Sequence, residues 1–256
     1  MTEKKIKINH LYSKNLNIYG DLGNIIALQY RAKVHGVECE VVNTEIGDEN
    51  IQEADIYFIG GGQDNDQIAV FKDLLRYQKF IGEELEKGKI FLLICGGYQL
   101  FGKFFLDSSN NLIEGLGLLD IETVAPGPEV KSRCIGNLIV EMNEGFIQNW
   151  SIDTTFSKFL VGFENHGGQT NLLSSQVQPI GKVIKGFGNN YASGFEGCMY
   201  KNLIAGYMHG SMLPKNPHLA DAIIRRAAGI GFEPLEKFDV EVEKKAHEFI
   251  LEKIND

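Results

Sequence analysis

The 256-residue sequence predicts an α/β fold, with a mainly parallel central sheet covered by helices on both faces. Three observations carry this. Strand-like and helix-like patterns alternate through the first half of the chain. Two of the strand-like runs end abruptly in glycines, "FIGGGQDND" and "LLICGGYQ", as the carboxyl ends of buried parallel strands do. Hydrophobic residues make up 43% of the chain, enough for a full core.

The elements read in order as follows. "KIKINHLY" is a strand. "GNIIALQYRAKVHG" places Ile25, Ile26, Gln29, Ala32 and Lys33 at helical spacing, and Gly36 closes it as a C-cap. "VECEVVNTE" alternates as a strand, and "ADIYFIGGG" is a buried strand running into glycines. A long helix is expected from about Asp66 to Lys87, ended by Gly88, because Ile68, Phe71, Leu74, Leu75, Gln78, Ile81 and Leu85 share one face. "KIFLLI" is the next buried strand and "GYQLFGKFF" a short helix. The second half holds short β-like pieces: "GLGLLDIETV", "CIGNLIVEM", "FLVGFENH", "KVIKGFG" and "CMYKNLIAGYMHG". Two helices, "HLADAIIRRAAG" and "FDVEVEKKAHEFILEKI", close the chain. No repeat, low-complexity tract or linker divides it, so residues 1–256 read as one domain.

Bulk properties exclude several classes. The net charge is −9 with no dense Lys/Arg cluster, which argues against nucleic-acid binding. The N-terminus lacks the apolar core of a secretory signal, and no apolar run reaches membrane-spanning length. The four cysteines, at 39, 95, 134 and 198, show no metal-ligand spacing, and a cytoplasmic protein with reduced thiols is expected.

Cys95 stands where a buried strand breaks into a tight turn before a helix. Such a turn thrusts the side chain out of the sheet, and the helix N-terminus favours the thiolate. The N–H of Gly96 is then free for a developing oxyanion. A buried core cysteine fits the position equally well. His209, at the end of "LIAGYMHG", is the leading base for that thiol, narrowly ahead of His166 in "GFENHGGQT". His35 and His247 read as solvated helix residues, and His218 as a capping or surface residue. The loop "IGGGQDNDQ" offers Gly61 and Gly62 as further oxyanion donors, or forms only a tight turn with Asp64 or Asn65 as N-cap. It is neither a P-loop nor a dinucleotide motif. Arg133, in "VKSRCIGN", reads as a surface charge or as a two-pronged partner for the α-carboxylate of an amino acid.

Seven pieces occur in order: "LYSKNLNIYGDLGNI", "FIGGGQDNDQ", "LLICGGYQLFG", "RCIGN", "GFENHGGQT", "GFGNN" and "GYMHGSMLPKNP". Together they resemble the class I glutamine amidotransferases, and within them the cobyric-acid-synthase-like group. The resemblance implies a flavodoxin-like glutaminase. Cys95 would attack the side-chain amide of L-glutamine, and His209 would shuttle the proton. Gly61, Gly62 and Gly96 would hold the oxyanion, Arg133 and Gln99 would meet the substrate, and His166 would support the site. The likeness is nearest to subunits of peptidoglycan synthesis, which implies a heterodimer with a Mur-ligase-like synthetase. That partner would hold ATP and Mg and use the ammonia to amidate the D-glutamate α-carboxylate of the stem peptide; no cofactor and no metal is expected in this chain. Alternatives are a stand-alone cysteine amidohydrolase, an amidotransferase subunit for another acceptor such as a corrinoid, and a non-catalytic scaffold. One departure stands out. Class I enzymes carry His-x-Glu, whereas this chain has His209-Gly210-Ser211. A bare Cys-His dyad can still react, with a less well oriented histidine; otherwise the carboxylate comes from elsewhere in the chain or from a partner, and the partner is the favoured source.

Overall fold

The computed structural model describes residues 4–106, 111–126 and 133–252. Val130–Ser132, just before Arg133, and the end of the last expected helix beyond Glu252 lie outside the described residues. The strands are β1 (Lys4–Leu11), β2 (Val37–Thr44), β3 (Ile56–Ile59), β4 (Ile90–Ile94), β5 (Phe104–Leu106), β6 (Leu112–Glu114), β7 (Ile121–Val124), β8 (Cys134–Met142), β9 (Phe159–His166), β10 (Gln169–Leu172), β11 (Gly181–Lys185), β12 (Phe195–Glu196), β13 (Cys198–Tyr200) and β14 (Leu203–Gly206). The helices are α1 (Leu22–Val34), α2 (Asp64–Leu74), α3 (Gln78–Glu86), α4 (Gly96–Phe101), α5 (Glu144–Trp150), α6 (Pro217–Ala228) and α7 (Glu241–Leu251).

The central sheet has the order β13-β14-β4-β3-β1-β2. Every neighbouring pair is parallel except the β13–β14 hairpin at one edge. β3 and β4 are buried along their whole length, which is why they read as unbroken apolar runs rather than as alternating ones. β3, β4 and β14 are adjacent and end together, Ile59 opposite Leu93 and Ile94 opposite Gly206. The residues that follow them, Gly60–Gly62, Cys95 and Tyr207–His209, therefore converge at one end of the sheet. Two smaller sheets, β10-β7-β5-β6 and β12-β11-β8-β9, come from the irregular second half. One continuous hydrophobic core runs from Ile6 and Ile8 through β3 and β4 to Leu219 and Ile223 of α6.

Several expectations need correction. The long helix is two helices, α2 and α3, separated by a 3-10 turn at Leu75–Tyr77. Side chains there are drawn to a neighbouring loop: Arg76 Nη2 and Tyr77 Oη both donate to the Asp48 carbonyl. The apolar face continues through the break, so periodicity alone could not reveal it. α2 begins at Asp64 with Gln63 at its N-cap; the side chains of Asp64 and Asn65 lie outside the description. "GYQLFGKFF" is helical only to Phe101, and Phe104–Leu106 form a strand. The histidines read as solvated are not. His35 Nε2 lies 3.1 Å from Asp221 Oδ1, and His247 bonds the Lys215 carbonyl and the Ser157 hydroxyl. His218 is fully buried, with Nε2 3.1 Å from the Phe159 carbonyl.

Candidate active site

Cys95 joins β4 to α4 in a conformation that side chains rarely adopt, φ +52° and ψ −100°. The turn is held from both ends. Its N–H donates to the Gly206 carbonyl at 2.8 Å, and its carbonyl accepts the Gln99 N–H at 3.0 Å. The next strand end is drawn in by Gly97 N–H donating to the Gly60 carbonyl. Position 97 must be glycine, because a Cβ there would lie 2.7 Å from the Ile59 carbonyl oxygen. A strained residue fixed by its surroundings is a mark of a functional turn, and here it keeps the thiol at the wall of a cavity of about 700 Å³.

His209 lines the same cavity. Its backbone pairs with Phe163 of β9, His209 N–H donating at 2.6 Å and Phe163 N–H returning at 3.3 Å. The ring is fully buried. Nδ1 lies 3.3 Å from Oδ1 of Asp21, itself fully buried, and the other side of the ring faces Cys95. Burial pushes the imidazolium down, but the Cys95 sulfur and the Asp21 carboxylate outweigh it and hold the ring up, at about 10. Asp21 corrects the expectation that a partner supplies the carboxylate beside this histidine. The chain has one of its own, at the N-terminus of α1, 188 residues away in sequence.

Gly61 sits between the two groups. A Cβ on it would lie 2.6 Å from His209 Cε1 and 3.2 Å from Cys95 Cβ, so glycine is needed for the pair to approach. Its N–H, expected to serve an oxyanion, is instead donated to Asp21 Oδ2 at 2.8 Å. The N–H groups of Gly62 and Gly96 have no acceptor among the described residues; Gly62 lines the cavity, and Gly96 follows Cys95 as the first residue of α4. Gln67 of α2 is 4% exposed, lines the cavity, and donates from Nε2 to the Gly62 carbonyl at 2.9 Å. Its Oε1 is buried and has no partner among the described residues.

The facing wall comes from the second half of the chain. Arg133 lines the cavity, with Nε donating to Asn165 Oδ1 at 3.1 Å and Nη2 to the Asn165 carbonyl at 3.3 Å. Gln99 is on the wall as expected, but its Nε2 is donated to the Tyr207 hydroxyl at 3.1 Å. His166 stacks on the Tyr207 ring at 3.7 Å between centroids, with Nδ1 2.8 Å from the Gly168 carbonyl. Burial lowers its imidazolium, yet Cys134 and Glu164 raise it, again to about 10. It lies on the cavity wall, and it is His209 that pairs with Cys95 across Gly61. Among the described residues no cluster of His, Cys, Asp or Glu is placed to hold a metal ion. No helix there is long and apolar enough to cross a membrane.

The site thus brings Cys95, His209, Gly61, Gly62, Arg133 and Gln99 together around one cavity, with Gly96 directly behind Cys95 at the start of α4. Two residues escaped the sequence reading. Asp21 stands inside the "YGDLGN" stretch, where it looks like an ordinary helix-capping residue. Gln67 looks like one more polar residue in a surface helix.

Comparison with known proteins gives a consistent picture. Residues 7–217 match the model of the CobB/CobQ-like glutamine amidotransferase domain. The chain is 38% identical to the lipid II isoglutaminyl synthase (glutamine-hydrolyzing) subunit GatD of Staphylococcus aureus, over 98% of this chain and 97% of that protein. It is 35% identical to the same-named subunit of Streptococcus pneumoniae, over 96% and 87%. In structure it is similar to the glutaminase domain of Trypanosoma brucei CTPS solved with acivicin. The TM-score is 0.56 at 13% identity, covering 89% of this chain and 96% of the other.

Proposed function

This chain belongs to the CobB/CobQ-like glutamine amidotransferase family, and on that premise we propose that it is the glutamine-hydrolysing subunit of a lipid II isoglutaminyl synthase. The observation that carries the reading is the strained Cys95 facing His209 across a glycine, at the wall of a cavity that also holds Arg133.

The chemistry follows from the positions. Arg133 takes the α-carboxylate of L-glutamine through its guanidinium. The Cys95 sulfur attacks the side-chain carbonyl carbon, and the oxyanion that develops is met by the N–H groups of Gly62 and Gly96. His209 delivers its proton to the departing nitrogen, so that ammonia leaves and a γ-glutamyl thioester forms on Cys95. The neutral imidazole then takes a proton from water, whose oxygen attacks the thioester and releases glutamate. Gln99 acts through Tyr207 as part of the wall. The ammonia passes to a Mur-ligase-like synthetase subunit, paired with this chain as a heterodimer in the cytoplasm. That subunit would hold ATP and Mg, which would supply the activation of the D-glutamate α-carboxylate of the stem peptide for amidation. The near-full-length similarity to the two GatD subunits supports this acceptor over a corrinoid.

The test is co-purification with the synthetase, followed by assay of ammonia release from glutamine. We expect release to rise on assembly, to vanish in Cys95→Ser, and to be blocked by an electrophilic glutamine analogue that labels Cys95. Release that is equally fast without the partner would argue for a stand-alone amidohydrolase. No release in either state would leave only a scaffold.

A further inference from the structure

Asp21 uses both of its oxygens inside the site. Oδ1 faces His209 Nδ1 at 3.3 Å, and Oδ2 accepts the Gly61 N–H at 2.8 Å. One carboxylate therefore touches both the proton-transfer group and the glycine loop that carries Gly62. What keeps it there is the segment after the histidine. His209, Ser211 and Leu213 alternate along the chain, and all three reach the turn that opens α1. His209 meets Asp21, the Ser211 hydroxyl donates to the Gly20 carbonyl, and Leu213 N–H donates to Asn24 Oδ1 at 2.9 Å. Ser211 is held in a left-handed conformation, φ +50°, and Lys215 Nζ binds the carbonyls of Gly210 and Ser211 from the other side. The close fit needs a glycine opposite. A Cβ at Gly23 would run into the Ser211 hydroxyl and lie 2.7 Å from its Cβ.

Resting on the glutaminase reading above, we propose that Asp21 is the positioning residue for both His209 and the oxyanion loop, and that Ser211 is the clasp that holds it. In this chain the position two residues past the histidine supplies no carboxylate; it ties down the turn that does. Asp21 orients the imidazole so that Nε2 faces Cys95, balances the charge of the imidazolium while the thioester forms, and fixes the position of the neighbouring Gly62 N–H through Gly61. It does not line the substrate cavity, so its loss should slow turnover without weakening glutamine binding.

The test uses the full chain assembled with its synthetase and separates kcat from KM for glutamine hydrolysis. Asp21→Asn preserves shape and leaves a carbonyl oxygen for the Gly61 N–H, but removes the charge facing the imidazole. It should lower kcat by about 10²-fold or more with KM within about twofold of the parent. Ser211→Ala and Gly23→Ala disturb the clasp from its two sides and should each lower kcat about tenfold, again with KM unchanged. Gly23→Ala is informative because alanine favours the helix it joins, so lost activity there cannot come from a weakened helix. Thermal melts of each variant establish that it is folded. The proposal is overturned if Asp21→Asn keeps kcat within about threefold of the parent, if KM rises as much as kcat falls, or if either clasp variant keeps full turnover. Cys95→Ala is run alongside: ammonia release that survives it sinks the glutaminase reading itself, whereas release lost there but intact in Asp21→Asn sinks only the role given to Asp21.

Discussion

Gly61→Ala inserts a single methyl group between nucleophile and base. The position is not in the left-handed region, so alanine carries no backbone penalty and the perturbation is steric. The new Cβ would stand 2.6 Å from His209 Cε1, where ordinary contact begins at 3.4 Å, and 3.2 Å from Cys95 Cβ. The ring must give way by about 0.8 Å, or the loop must withdraw by as much. Neither can happen freely. The imidazole is fully buried with Asp21 behind it, and its backbone is paired to Phe163. Withdrawal of the loop would stretch the Gly61 N–H bond to Asp21. A misplacement near 1 Å at reacting groups costs about 10²-fold in rate, and the overpacking costs about 1–3 kcal/mol of stability. For a domain of this size that is a fall of about 2–4 °C in melting temperature per kcal/mol. The assay is glutamate formation from glutamine by the assembled complex, with a thermal melt of the same preparation. A variant with kcat within about threefold of the parent and an unchanged melting temperature would show that the gap is wider than the structure has it, and would refute the close pairing of Cys95 and His209.

Arg133→Lys should raise KM for glutamine about tenfold or more with little change in kcat, since a point charge replaces a two-pronged guanidinium; a fall in kcat at constant KM would remove Arg133 from substrate binding. Glu196 is fully buried, and burial, only partly offset by the Tyr207 N–H it accepts at 2.7 Å, pushes its carboxyl from the usual 4.5 to about 7. The native state then holds a proton that the unfolded chain has lost, so this group favours folding at low pH and costs stability as pH rises from about 4.5 through 7, by about 3 kcal/mol at most. Glu196→Gln keeps the acceptor for Tyr207 and should flatten the fall of melting temperature between pH 5 and 8; identical slopes in parent and variant would rule the account out. Arg31 forms a buried two-pronged pair with Asp221 at 2.5 and 2.7 Å, linking α1 to α6. Arg31→Ala leaves that buried carboxylate with His35 as its remaining partner and should cost about 3–5 kcal/mol in a denaturant titration; a loss below about 1 kcal/mol would mean the pair behaves like an exposed one.

Much of the site was legible because its pieces lie where strands end. The apolar run Phe91–Ile94 stopping at Cys95 marks a buried strand giving way to a tight turn, and the run before Gly60 does the same. A parallel sheet must bring such ends together. The oxyanion loop was legible only in part. Three glycines in a row say that N–H groups are accessible, but not which of them another residue has already taken. Gly61 is occupied by Asp21, and nothing near Gly61 in sequence announces it. The break at Leu75–Tyr77 was hidden for a similar reason: both helices keep an apolar face, and what parts them is a carbonyl at Asp48 on another loop.

By itself the sequence determined the strand-and-helix alternation and the mostly parallel sheet, which follow from periodicity and from glycine at strand ends, local properties of the chain. It left Cys95 between core residue and nucleophile, and His209 narrowly ahead of His166, until the ordered motifs brought in the family resemblance. Only the tertiary structure decided which carboxylate stands behind the histidine. Asp21 and His209 are 188 residues apart, and their meeting depends on where α1 starts relative to the end of β14. Ser211, in the place where the acid was expected, reads from sequence as a loss. In space it bonds the Gly20 carbonyl and brings in a carboxylate from the other end of the chain. A contact between distant segments has no signature in either segment alone, because each obeys its own local pattern whether or not the other is there.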